Sequence, residues 1–173
     1  MSEKAKLKTV SIVYQFDDPT GELYHKLRKG ANPLSLPVKP KKVIKKEGNI
    51  FLNEGINFIW NAVTGQTGLT YFNSANSYIG VGDGTAAASA DQTGLQGTNK
   101  YYKLVDSGYP TISGTTVIFR ATFGGTEANF AWNEWTVANG SSDTAINLNR
   151  KVESLGTKPS GATWVLEVQL TIS

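Results

Sequence analysis

Apolar and polar residues alternate with a period of two along much of this chain, which predicts β-strands with one buried and one wetter face. The clearest case is Thr163–Ile172. There Trp164, Leu166, Val168, Leu170 and Ile172 take one face, and Thr163, Glu167, Gln169 and Thr171 the other. Thr115–Phe123 points Val117, Phe119, Ala121 and Phe123 inward. Asn129–Val137 reads as an aromatic-rich strand between Gly124-Gly125 and Asn139-Gly140. Asn76–Val81 and Lys100–Val105 read as shorter strands, and Thr9–Phe16 aligns Val10, Ile12, Tyr14 and Phe16 on one face.

The period changes at Asn53–Val63, where Ile56, Ile59, Trp60 and Val63 share a face at helical spacing. Asn53 is placed to cap this helix and Gly65 to end it, while Gly55 weakens it. Glu22–Lys29 allows one or two helical turns ending at Gly30, after the turn-forming run Asp17-Asp18-Pro19-Thr20-Gly21. Three prolines between Asn32 and Pro40 favour an extended strap, and Thr85–Thr93 suits a loop or a brief Ala-rich helix. The predicted fold is mainly all-β. It is an antiparallel sandwich or jelly-roll-like body of six or seven strands, with one short helix and an extended basic N-terminal arm.

Charge supplies the arm. Residues 1–50 hold eleven Lys/Arg against five Asp/Glu, whereas residues 51–173 hold six against nine. The front also carries four of the six prolines, and the back carries fifteen of the eighteen glycines and all four tryptophans. The division expected is an arm over 1–50 and a body over 51–173 whose helix spans 53–63. Zero cysteines exclude disulfides, thiolate metal sites and cysteine nucleophiles. No run approaches the length of a membrane-spanning helix, and the N-terminus has no apolar signal core, so a soluble chain made in the cytoplasm is expected.

Candidate chemistry is sparse. His25 is the only histidine and lies in the basic arm, with no nucleophile held beside it. The run Gly80-Val81-Gly82-Asp83-Gly84-Thr85 matches neither phosphate-loop template and reads as a tight hairpin or bulge turn. Asp83 and Asp91 do not have the spacing of a known cation loop. Glu127 and Glu134, beside Trp132 and Trp135, are the one acid pair with a glycosidase-like setting. Seven residues of separation puts them on opposite faces of a continuous strand, and Glu134 reads as a satisfied polar residue in a packed sheet. No enzyme activity, cofactor or metal is expected.

The remaining feature is the cluster Lys39, Lys41, Lys42, Lys45 and Lys46. It lacks the interleaved aromatics that single-stranded nucleic acid needs. The reading is an arm whose lysines meet carboxylates and whose strand-like stretch, with Val10, Ile12 and Tyr14, pairs with a partner's sheet edge. These eight residues are the candidate partner-binding set.

Tyr78-Ile-Gly-Val-Gly-Asp-Gly-Thr85, with Asp91 and Leu95 after it, resembles a pattern in tailed-bacteriophage virion proteins. The resemblance continues through Val117–Phe123, Phe130–Trp135, Asn149-Arg-Lys-Val152 and Thr163–Val168, covering roughly 50–173. It implies a non-enzymatic structural subunit of the virion. The leading expectation is a capsid decoration (cement) protein, a dimer or trimer whose arm bridges major-capsid subunits. The alternative is a tail, baseplate or fibre-adaptor component whose body contacts glycans or a receptor.

Overall fold

A computed structural model describes residues 7–173 and forms two five-stranded antiparallel sheets packed face to face. The strands are β1 (Leu7–Asp17), β2 (Lys42–Glu47), β3 (Ile50–Phe51), β4 (Tyr78–Gly82), β5 (Lys100–Leu104), β6 (Thr111–Ser113), β7 (Thr116–Phe123), β8 (Ala131–Ala138), β9 (Asn149–Thr157) and β10 (Ala162–Ile172). The first sheet runs β2-β1-β10-β7-β6 and the second β3-β9-β8-β4-β5. Two helices complete the molecule, α1 (Glu22–Arg28) and α2 (Asn53–Val63).

The expected inward faces of β7 and β10 are the ones that meet between the sheets. Phe119, Ala121 and Phe123 pack there with Trp164, Leu166, Val168 and Leu170, against Ile79, Val81, Trp132, Trp135 and Val137 of the second sheet. Trp132 and Trp135 lie three apart, so a regular strand would send them to opposite faces. A register shift between Trp132 and Glu134 in the pairing of β8 with β9 inserts the extra residue that returns both indoles to the core. Both indole N–H groups are satisfied, Trp132 Nε1 donating to Ala128 O at 2.9 Å and Trp135 Nε1 to Ser11 Oγ at 2.8 Å.

The N-terminal arm is the principal correction. β1 lies inside the first sheet, paired with β10 from Leu7↔Ile172 to Asp17↔Ala162 and on its other side with β2. Val13 belongs to the main core. On the opposite face of β1, Tyr14 and Phe16 are buried, while Val10 and Ile12 are half-buried. Tyr14 and Phe16 form a second core with Leu23 and Leu27 of α1, Leu36 of the proline-rich strap and Val165, and Ile12 packs against its edge. The arm reading failed because charge composition counts the side chains in water, whereas the apolar minority of residues 7–50 decides where the backbone lies.

α1 is short enough to need outside support. Asp18 gives it, accepting the N–H of Leu23 at 3.2 Å and of Tyr24 at 2.9 Å, and it also takes the Thr163 hydroxyl. The helix end is fastened by Arg120 of β7, which donates to Leu27 O and Ala31 O.

α2 also departs from expectation. Gly55 and Phe58 face the body, while Ile56, Trp60 and Val63 face water. Gly55 explains the rotation. A Cβ there would sit 2.6 Å from the Leu148 backbone, so the bare glycine lets the helix settle directly on that segment. Its N-terminus is not capped by Asn53, whose Nδ2 instead donates to Asp91 at 2.6 Å.

Candidate interaction surface

Most ionisable groups in the interior are bound to one another. Asp106 takes Arg120 Nε at 2.9 Å, Arg28 Nη1 at 2.8 Å, and both the N–H and the hydroxyl of Thr122. Tyr109 lies over the Arg120 guanidinium, 4.5 Å from ring centre to Cζ. This network joins α1 and the strap to the first sheet.

Glu134 and Arg150 form a second network, fully buried, with Arg150 Nε 2.7 Å from Glu134 Oε2. The Glu134 carboxylate also receives the backbone N–H groups of Gly84, Gln96 and Gly97. Arg150 reaches Ala86 O, Ala87 O and Gln92 Oε1. Together they organise the long loop between β4 and β5, in which Thr85–Thr93 takes the loop form of the two expected for it and no tight hairpin forms at Gly82–Gly84. The glycines answer a different need. A Cβ on Gly82 or Gly84 would lie 2.6 or 2.4 Å from Glu134 Oε1, so the loop cradles an anion, but that anion is the chain's own carboxylate.

Glu127 belongs elsewhere. It accepts from Lys103, Tyr101 and the Gly124 N–H, and these donors, led by Lys103, hold its carboxyl below the ordinary value despite burial. The two glutamates therefore serve separate networks. Beside Glu127, the Lys158 ammonium is buried and donates to Gly124 O at 2.7 Å and Asn129 Oδ1 at 2.9 Å. Burial pushes its pKa down to about 8, against the opposing pull of Glu127. Asp83 is held by Asn99, whose side-chain and backbone donors lower its pKa. His25 is exposed on α1 with its ring edge-on to Tyr24. No group of three or more His, Cys, Asp or Glu suited to a metal occurs among the described residues.

The lysine cluster is brought together, though on a fixed element rather than a free strap. Lys42, Lys45 and Lys46 lie on β2, at the edge of the first sheet. Lys46 pairs with Glu153 across to the second sheet, Lys45 reaches Glu47 at 3.4 Å, and Lys41 reaches Asp17 at 3.1 Å. Lys39 donates to Leu34 O. Val10, Ile12 and Tyr14 lie on the neighbouring strand opposite Glu47, Lys45 and Val43, with Tyr14 buried and Val10 and Ile12 half-buried.

A further apolar surface lies on α2, outside the eight candidate partner-binding residues. Trp60 is 62% exposed and Val63 71%, and Ile56 completes the stripe at positions i, i+4 and i+7. The face bearing Gly55, Phe58 and Ile59 borders an apolar groove of about 350 Å³, whose far wall is the β6–β7 hairpin with Ile112 and Val117. Ile112 stands 79% exposed at its rim. A sequence signal for this surface does exist: no Asp, Glu, Lys or Arg falls between Glu54 and Asp83. Loss of charge with retained tryptophan and tyrosine is the composition of an interface core.

No protein-family model, curated protein or solved structure matches this chain.

Proposed function

We propose that this chain is a non-enzymatic structural subunit of a tailed-bacteriophage particle, a capsid decoration protein that docks on the major-capsid surface through the α2 end of its sandwich. The phage assignment is supported by the sequence pattern running from Tyr78-Ile-Gly-Val-Gly-Asp-Gly-Thr85 to the closing strand. The observation that carries the docking reading is the charge-free, apolar face of Ile56, Trp60 and Val63, left in water beside an apolar groove. A monomer gains nothing by hydrating a tryptophan and a valine on one helix stripe, whereas a partner surface that dries them gains free energy.

Docking by a rigid face has an energetic advantage over an arm. Ordering a flexible strap costs about 1–2 kcal/mol per residue, and residues 7–50 incur that cost in folding rather than at attachment.

The test is re-addition of purified protein to particles that lack it, followed by sedimentation. Wild-type protein is expected to co-sediment. Trp60→Ser is expected to weaken attachment by about 2 kcal/mol, near thirtyfold, as for a central aromatic anchor. Because Trp60 is exposed, the variant should unfold at the wild-type denaturant concentration. Equal attachment of both proteins would overturn the assignment of this face.

A further inference from the structure

We infer that the outer edge of β2 is a second docking site, one that takes an extended acidic segment of another protein as an added strand. This inference does not depend on the α2 reading.

β2 is hydrogen-bonded to β1 on one side only. The Gly48 N–H donates to Thr9 O at 2.9 Å, which sets the phase of the ladder. By antiparallel alternation, Lys42, Ile44 and Lys46 then bond to β1, while the main-chain groups of Val43, Lys45 and Glu47 point away. The Glu47 carbonyl confirms that phase, because it accepts Lys151 Nζ from the second sheet at 3.0 Å. Val43 and Lys45 therefore present donors and acceptors with no strand beside them.

Across from this edge the second sheet is open as well. β3 pairs with β9 only at Asn149 and Arg150, leaving Ser154–Gly156 without a paired strand on that side, where Leu155 O accepts Gln15 Nε2 at 3.2 Å. Between the two edges lies a cleft of about 510 Å³, walled by Lys42–Lys46 and Ser154–Gly156. Ile44 packs against the main core at its floor, and Leu155 is buried there. An added strand would thus find backbone partners on β2 and apolar contact beneath.

Charge selects the occupant. Residues 39–47 hold five lysines and one glutamate. Lys42 has no ion pair among the described residues, and Lys45 has only Glu47, two positions along its own strand. Lysines on an edge repel basic strands and lose hydration without compensation against neutral ones, and so guard against indiscriminate pairing. The same lysines favour a strand carrying carboxylates. A second copy would bring five more lysines to the contact, so the fitting partner is a different, acidic chain.

The probe is a synthetic peptide of about eight residues alternating glutamate with valine and threonine, titrated into the full-length protein and followed by amide exchange. Saturable binding is expected, with slowed exchange at Val43 and Lys45 and weakening as salt rises. A peptide of equal charge interrupted by proline should bind much more weakly. Val43→Pro removes an outward donor without breaking the β1 ladder, and should weaken the alternating peptide about fivefold to tenfold. If that variant does not fold, the two peptides on wild-type protein still decide. Equal binding of both peptides, no saturable binding, or protection of Val43 and Lys45 that grows with protein concentration alone would each overturn the inference.

Discussion

Glu134 and Arg150 show how single residues organise long loops in this molecule. Both are sealed from water, and between them they take up backbone groups from Gly84, Ala86, Ala87, Gln96 and Gly97. Glu134→Gln keeps the shape and removes the charge. It should cost about 3–5 kcal/mol in urea unfolding, because Arg150 keeps its charge and loses its counter-ion. A variant as stable as wild type would show that the loop holds itself. Lys158 makes the opposite case, a cation held by two neutral oxygens. Its folded pKa of about 8 lies below the ordinary lysine value of 10.5, so the unfolded chain binds more protons between those limits. Its contribution to stability therefore rises with pH from about 8 to 10.5, and below about 8 the burial penalty is fully present. The stability difference between wild type and Lys158→Met, followed across that window, should move in favour of wild type as pH increases. A flat difference would contradict the depressed pKa.

At the scale of elements, β1 and α2 mark the limits of what the sequence discloses. The faces of β7 and β10 were legible because a strict period of two records which side is dry. The same pattern in Thr9–Phe16 was visible too, but its location was not. Pairing with β10 joins Leu7 to Ile172, near opposite ends of the chain, and local periodicity carries no trace of such a contact. β2 was hidden by lysines, which suit an exposed edge as well as a linker. For α2, the helical spacing of Ile56, Ile59, Trp60 and Val63 was legible, but docking through Gly55 and Phe58 was not, because a glycine gives no apolar signal for the face it settles on. That Glu134 is a satisfied polar residue in a packed sheet was legible, but the partners of Glu134 and Arg120 were not, since they come from distant elements. Two consequences follow for the elements. Deleting residues 1–46 removes β1 and almost all of β2 and should abolish cooperative unfolding. An arm would leave the transition intact. Gly55→Ala should destabilise by about 1–3 kcal/mol through the clash at Leu148, read from the urea midpoint.

The whole molecule is a two-sheet sandwich with two unlike proposed contact regions, an uncharged apolar end at α2 and a lysine-lined edge at β2. They differ in their response to ionic strength. Attachment through α2 should change little between low and high salt, since no charged side chain lies between Glu54 and Asp83. Capture of an acidic strand by β2 should fall steeply over the same range. A steep salt dependence of particle attachment would transfer the principal contact from α2 to the lysine edge. The most direct test of the proposed role is an electron cryomicroscopy map of particles carrying this chain. The account predicts copies distributed over the head, with α2 and Trp60 buried against the major-capsid protein. Density confined to the tail, or copies on the head with α2 facing solvent, would contradict it.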